Sequence, residues 1–305
     1  MYLVCGEALF DVFVPEGAQE PLQLVAHAGG SPFNVAIGLS RLGQPAGLFT
    51  GLSTDALGRR LRAHLAREQV SLAYIVDKAQ PTTLALVALE PDGVPRYSFY
   101  GSGCADRALG IDDLPTLGNE VTGLHLASYT LVVEPTASTF LALARQARGA
   151  RVISLDPNVR PTVEPDMQRW RDRLDVWRTL ADVIKVSDED LALLYPGRDV
   201  HEIAREWLDG PTRLLVITRG AKGALGFCGE GRVEIPAPAT AVVDTVGAGD
   251  SFQSALLAQL PDHAALQSAS ASLPRLEHVL TRAARAAAIT CSRPGADPPR
   301  ARELV

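Results

Sequence analysis

The chain has 305 residues, of which 47% are hydrophobic and 21% charged, with a formal net charge of −6. That length can bury one large core, or a core with a small appendage. The acidic balance argues against a nucleic-acid surface, and no apolar run approaches the ~20 residues of a membrane span.

Tyr2 to Cys5 reads as a short buried strand closed by Gly6-Glu7, and Leu9 to Val14 as a second that carries Asp11 between apolar neighbours. Past a polar stretch, His27-Ala28-Gly29-Gly30-Ser31-Pro32-Phe33-Asn34 leads into a helix that stops at Gly43. Ser31 is the candidate N-cap and Pro32 suits the first helical position. Asn34 falls in the first turn. A local cap is one reading of it; the glycines before it favour a ligand approached closely by backbone. Phe49 to Leu52 predicts a strand and Ala56 to Gln69 an amphipathic helix. Thr82 to Leu89 and Tyr97 to Tyr100 predict a hairpin turned by Pro91-Asp92-Gly93, a flap over a site rather than part of the main sheet.

Beyond Gly110 the alternation is regular. Strands are expected over Val121 to Ala127, Val152 to Leu155, Val183 to Val186 and Leu214 to Thr218. Helices are expected over Thr136 to Arg148, Asp166 to Ala181, Val200 to Leu208 and Arg275 to Ile289. The pattern predicts an α/β fold with a doubly wound, mostly parallel sheet flanked by helices. Ligands of such sheets bind outside the carboxyl ends of the strands. There stand Asn158 and Arg160, Ser187 and Asp190, Thr218 to Gly223, and Gly247 to Asp250. Trp170, Trp177 and Trp207 have the spacing of helical packing residues, and His27, His64 and His201 carry no evident chemistry. Cys5, Cys104, Cys228 and Cys291 are scattered. They form neither a zinc motif nor a disulfide framework, so a reducing cytoplasm is the expected setting.

The most informative stretch is Asp244-Thr245-Val246-Gly247-Ala248-Gly249-Asp250-Ser251-Phe252. A β-branched run ending in Val242-Val243 predicts a strand leading in, and Phe252 to Leu260 a helix leading out. Gly247 and Gly249 permit a tight turn, and a helix start adds unpaired N–H groups and the positive end of its dipole. The product is an anion pocket made of backbone, with the Asp250 carboxylate at its lip. That suits phosphoryl transfer to a hydroxyl, with Asp250 as base and already ionised at its ordinary value; the plainer alternative is an Asp that only caps a helix. No Gly-Lys-Ser/Thr loop and no Gly-x-Gly-x-x-Gly are present, which discounts P-loop and dinucleotide enzymes.

Those nine residues resemble the C-terminal signature of the ribokinase-like (PfkB) sugar kinases, and similar segments extend along the whole chain. The resemblance, closest to fructokinase-like members, implies a single domain over 1–305 with a small β lid from about 12–28 and 82–103. It implies sugar binding by Asp11, Gly29, Gly30, Asn34, Asn158 and Asp250. Catalysis would fall to Asp250 with Gly247, Ala248, Gly249 and Arg160. ATP would be held by Lys185, Ser187, Thr218, Gly220, Gly223, Gly247 and Gly249. Asp190 would reach Mg2+ indirectly, and Asp244, Val246, Arg293 and Gly295 would surround a monovalent cation such as K+. Asp55 and Gly58 match a family turn, and Asp156-Pro157-Asn158-Val159-Arg160 matches a segment of fructokinase-like and ketodeoxygluconate kinase-like members. Two departures are Ser187 and Asp190, where the family has Asn and Glu, and Gly101, where fructokinase-like members often have Arg. The implied activity is ATP-dependent phosphorylation of a sugar primary hydroxyl, with D-fructose ranked above ketodeoxygluconate, and ribose or a nucleoside third. A homodimer through the lid is implied, and a sugar-binding regulator on the same fold is the non-enzymatic alternative.

Overall fold

The computed structural model describes residues 1–14, 21–89 and 95–304. Its strands are β1 (Tyr2–Cys5), β2 (Leu9–Val14), β3 (Val25–Gly29), β4 (Ala46–Ser53), β5 (Ile75–Lys78), β6 (Leu84–Leu89) and β7 (Pro95–Tyr100). They continue with β8 (Gly123–Ala127), β9 (Val152–Asp156), β10 (Val183–Ser187), β11 (Leu214–Thr218), β12 (Ala224–Cys228) and β13 (Gly231–Ile235). The helices are α1 (Ser31–Arg41), α2 (Ala56–Arg67), α3 (Thr136–Ala147), α4 (Met167–Arg178), α5 (Asp188–Leu194), α6 (Val200–Leu208), α7 (Ala248–Ala258), α8 (His263–Ser270) and α9 (Leu273–Cys291).

One sheet has the strand order β13-β12-β11-β10-β9-β8-β1-β4-β5, parallel from β11 through β5 and antiparallel over β11-β12-β13. Every residue of β1, β4, β8 and β9 is buried, as expected of strands covered on both faces. One layer holds Phe140, Trp170, Trp177 and Trp207 from α3, α4 and α6. The other holds α7, α9 and α1, with Phe252, Leu256, Leu280 and Phe33. The chain starts in the middle at β1, runs outward through β4 and β5, then returns to β8 on the other side. The order therefore reverses beside β1, and the crevice there is where an open α/β sheet binds ligands.

A second sheet, β3-β2-β6-β7, is built from the two excursions that separate β1 from β4 and β5 from β8. Strands β6 and β7 pair antiparallel from Leu84↔Tyr100 to Leu89↔Pro95; the Pro91-Asp92-Gly93 turn lies outside the described residues, as does the Arg96 side chain. Asp11, Ala85 and Phe99 share one row, so they project from the same face.

Several expectations need correction. No strand leads into the nine-residue motif: residues 236–247 are irregular, tied to the end of α9 by Val243 N–H donating to Cys291 O at 2.8 Å. β-branched composition alone cannot make a strand without a neighbour to pair with. The outgoing helix starts earlier than expected, at Ala248. Ser31 is not the cap of α1; Gly30 stands there without a side-chain cap. Strands β3, β5, β12 and β13 and helices α5 and α8 were not expected, being short segments of four to eight residues.

Candidate active site

Gly247 caps α7 with φ 75°, a left-handed conformation that glycine adopts without strain. A Cβ there would also sit 2.5 Å from that of Ala296. Of the amides expected to face an anion, that of Ala248 is diverted to Thr245 O at 3.2 Å. Among the described residues, those of Gly249 and Asp250 stay open at the helix start. Asp250, partly exposed to the crevice, is held from the opposite wall: Ser31 Oγ donates to Oδ1 at 2.7 Å and Asn34 Nδ2 to Oδ2 at 2.8 Å. Both donors lie in the first turn of α1. Ser31 therefore gives its hydroxyl to Asp250 rather than to its own helix, a role that local sequence could not reveal. The Asp250 carboxyl stands above its ordinary value because of burial, opposed by those two donors and the Lys185 charge. The expectation of an unshifted carboxylate is thus corrected.

Beneath the loop, Lys185 of β10 donates to Asp156 Oδ2 of β9 at 2.8 Å, and both side chains are buried. Burial is the largest influence and works against the ammonium, but the Asp156 charge and hydrogen bond, with the charges of Asp250 and Asp190, together outweigh it and raise the Lys185 pKa. Asp190 is held in place by backbone. Its Oδ1 accepts from Val159 N–H at 3.0 Å, and its own amide donates to Ser187 Oγ, the N-cap of α5. This pins the 156–160 segment, in which Asn158 has φ 40° and exposed Arg160 donates to the Asn158 and Val159 carbonyls. Among the described residues no three His, Cys, Asp or Glu side chains converge as a metal cage.

On the other side of the crevice, Gly29 packs directly over the Asp11 carboxylate. Burial lifts Asp11 to about 6, with the Arg160 charge pulling it down and that of Asp250 pushing it up. Gly30 has φ 104°, and a Cβ on it would lie 2.8 Å from Glu7 O. Glu7 is 2% exposed, its Oε2 has no hydrogen-bond partner among the described residues, and burial raises its carboxyl to about 8. Asp106, also buried, accepts from Thr83 and Tyr129. Neither acid was singled out as a site residue from sequence; an acidic residue directly after Gly6 was the available signal. Arg107 lies 5.0 Å from the Phe99 ring and 4.8 Å from that of Tyr129. Its Nη2 is 2.5 Å from where a Cβ on Gly101 would start. The guanidinium thus occupies the space that a side chain at 101 would need.

At the far end of the crevice, Thr218 closes β11 in register with Ser187. Gly220 and Gly223 then form a tight turn, with Arg219 N–H donating to Gly223 O at 2.8 Å. Val242, Val243 and Val246 are 63%, 61% and 43% exposed beside the anion loop, apolar surface on a loop edge that faces no core. Asp244 clasps two loops, accepting from Val246 N–H at 3.0 Å and Gly295 N–H at 2.8 Å. Arg293 is spent on Asp297 and Glu303.

Residues 2–302 match the model of the pfkB family carbohydrate kinases. A fructokinase of Rhizobium leguminosarum bv. trifolii is 38% identical over 260 residues, covering 85% of this chain and 79% of that protein. The crystal structure of a fructokinase with bound ATP from Xylella fastidiosa superposes with a TM-score of 0.92 at 28% identity, covering 99% of this chain and 96% of that one. A Vibrio cholerae fructokinase in its fructose-, ADP- and calcium-bound form superposes with a TM-score of 0.81 at 26% identity, covering 97% and 94%.

Proposed function

Because this chain belongs to the pfkB family of carbohydrate kinases and is an ATP-dependent sugar kinase, we propose that its acceptor is D-fructose and its product fructose 6-phosphate. The carrying observation is that Asp250, at the start of the anion-binding helix, is gripped by Ser31 and Asn34 from the other wall of the crevice. One carboxylate therefore stands where phosphate and sugar meet. The sugar hydroxyl gives its proton to Asp250 as its oxygen attacks the γ-phosphorus; the P–O bond to ADP breaks and ADP leaves with that electron pair. The open amides of Gly249 and Asp250 face the migrating group, and Arg160 supplies a positive charge beside it.

The preference for a neutral sugar rests on charge. Glu7, Asp11 and Asp106 crowd the sugar side, and Arg107 is enclosed between two rings with Nε and Nη2 buried. A sugar acid would bring its own carboxylate into this company with no exposed bidentate partner among the described residues of that side, which is costly. A fructokinase that binds fructose and ADP at comparable fold similarity supports the same reading. The adenine would cover Val242, Val243 and Val246. Mg2+ would fit as a companion of the nucleotide's phosphates, since no protein cage is offered among the described residues. The loops clasped by Asp244 are where K+ would bind.

We take the second sheet, with 12–28 and 82–103, as a lid on a single domain. Its exposed Leu22, Leu24 and Val25 suit cover by a second copy, a dimer that sedimentation would detect. The four cysteines are free, consistent with a cytoplasmic enzyme, and among the described residues no helix is long and apolar enough to cross a membrane. Coupled ADP release across a panel of sugars and nucleosides tests the function. Fructose should give the highest kcat/KM, and turnover of a nucleoside alone would overturn the assignment.

A further inference from the structure

Lys185 is one of only three lysines among 29 basic residues; the chain otherwise writes its cations as arginine. A lysine kept at a position 5% exposed calls for a reason that arginine could not meet. The Gly249 environment supplies one. A Cβ on Gly249 would start 3.3 Å from Lys185 Nζ, so the ammonium lies directly against the backbone of the anion loop. A compact point charge fits there, while a planar guanidinium is larger and would press into the loop.

The surrounding groups are mostly acidic. Asp156 faces the ammonium from β9, and the charges of Asp190 on α5 and Asp250 on α7 also reach it. His125 on β8 contributes no charge, because burial and the Lys185 ammonium push it down to about 3. Asp156 uses only Oδ2 on Lys185; its Oδ1 is buried without a hydrogen-bond partner among the described residues. A lysine whose sole task was to neutralise Asp156 would not need to abut Gly249. We propose that Lys185 is a positioning residue for phosphoryl transfer: from below the loop, its buried charge stabilises the negative charge that gathers at Gly249 and Asp250 as the phosphoryl group moves. It is then neither a direct ligand of ATP nor merely the counterion of Asp156.

The inference rests on the Asp250 loop being the transfer site, and a small set of variants separates the two. K185M should lower kcat by about a hundredfold, the scale of losing one preorganised electrostatic contact, with a smaller change in KM for the sugar. Because K185M strands the buried Asp156 charge at a cost to folding, the deciding comparison is D156N against K185M/D156N. That pair reads Lys185 in the absence of its partner. The double variant, which no longer strands a buried charge, should melt at or above D156N yet turn over about tenfold or more slowly. Equal kcat in the two would reduce Lys185 to a counterion, and a loss confined to KM for ATP would make it a nucleotide ligand; either result overturns the proposal. D250N assayed alongside reports on the transfer site itself. Turnover kept in D250N removes the site, whereas loss in D250N with equal kcat in the other pair removes only the role of Lys185.

Discussion

The two walls of the crevice handle buried acid in different ways. On the phosphate wall, Asp156 is paired with Lys185 at 2.8 Å and Asp190 is anchored to the Val159 amide. On the sugar wall, Glu7 and Asp106 are buried with no ion pair among the described residues; hydroxyls or a retained proton satisfy them instead. The difference matches what each wall would meet in the proposed reaction. An incoming phosphate needs fixed positive charge and amide dipoles, so its wall ties its acids to an ammonium and to backbone amides. A polyol needs hydrogen-bond acceptors and donors, so its wall can use carboxyls near neutrality. Asp250 joins the two, with donors from the sugar wall and open amides from the phosphate wall.

Breaking that junction should have the largest effect. D250N removes the proton acceptor while keeping partners for Ser31 and Asn34, and kcat should fall by ~10²–10⁴. Steady-state kinetics on the best sugar decides this, and turnover within about threefold of the parent would exclude Asp250 as the base. A lesion confined to the phosphate wall comes next. In G247V a β-branched side chain meets both φ 75° and the Ala296 methyl. About a hundredfold loss in kcat is expected, with sugar KM less affected. A folded G247V with parental kcat would remove the loop from the chemistry.

The sugar wall is tested by discrimination. Fructose should exceed ketodeoxygluconate in kcat/KM by at least about tenfold, about 1.4 kcal/mol. The reverse preference would mean that a cation reaches the acid after all. The smallest effect concerns stability. Glu7 binds its proton more tightly in the folded protein, at about 8 against an ordinary 4.5. Its contribution is therefore fully present below about 4.5 and lost as pH rises toward about 8. E7Q, which mimics the protonated acid, should gain a few degrees in Tm relative to the parent between pH 5 and pH 8. A difference independent of pH would show that Glu7 is not proton-bound in the fold.

Much of this protein was fixed by local chemistry. The buried runs of Tyr2–Cys5 and Leu214–Thr218 state parallel strands covered on both faces, because apolar β-branched residues with no polar alternation have no other stable place. Gly247, Gly249 and Asp250 announce an anion loop because backbone freedom, a helix start and a carboxylate are all set within four residues. The same reasoning failed where a neighbour far along the chain decides. Val242 and Val243 look like strand but find no strand to pair with and lie exposed. Ser31 looks like a cap but its hydroxyl reaches a carboxylate 219 residues away. Nor could the sequence place Lys185 beneath Gly249, since β10 and α7 meet only when the layers pack. A side chain's type and its own backbone are local properties; the partner that sets its charge, proton and direction is delivered by tertiary structure.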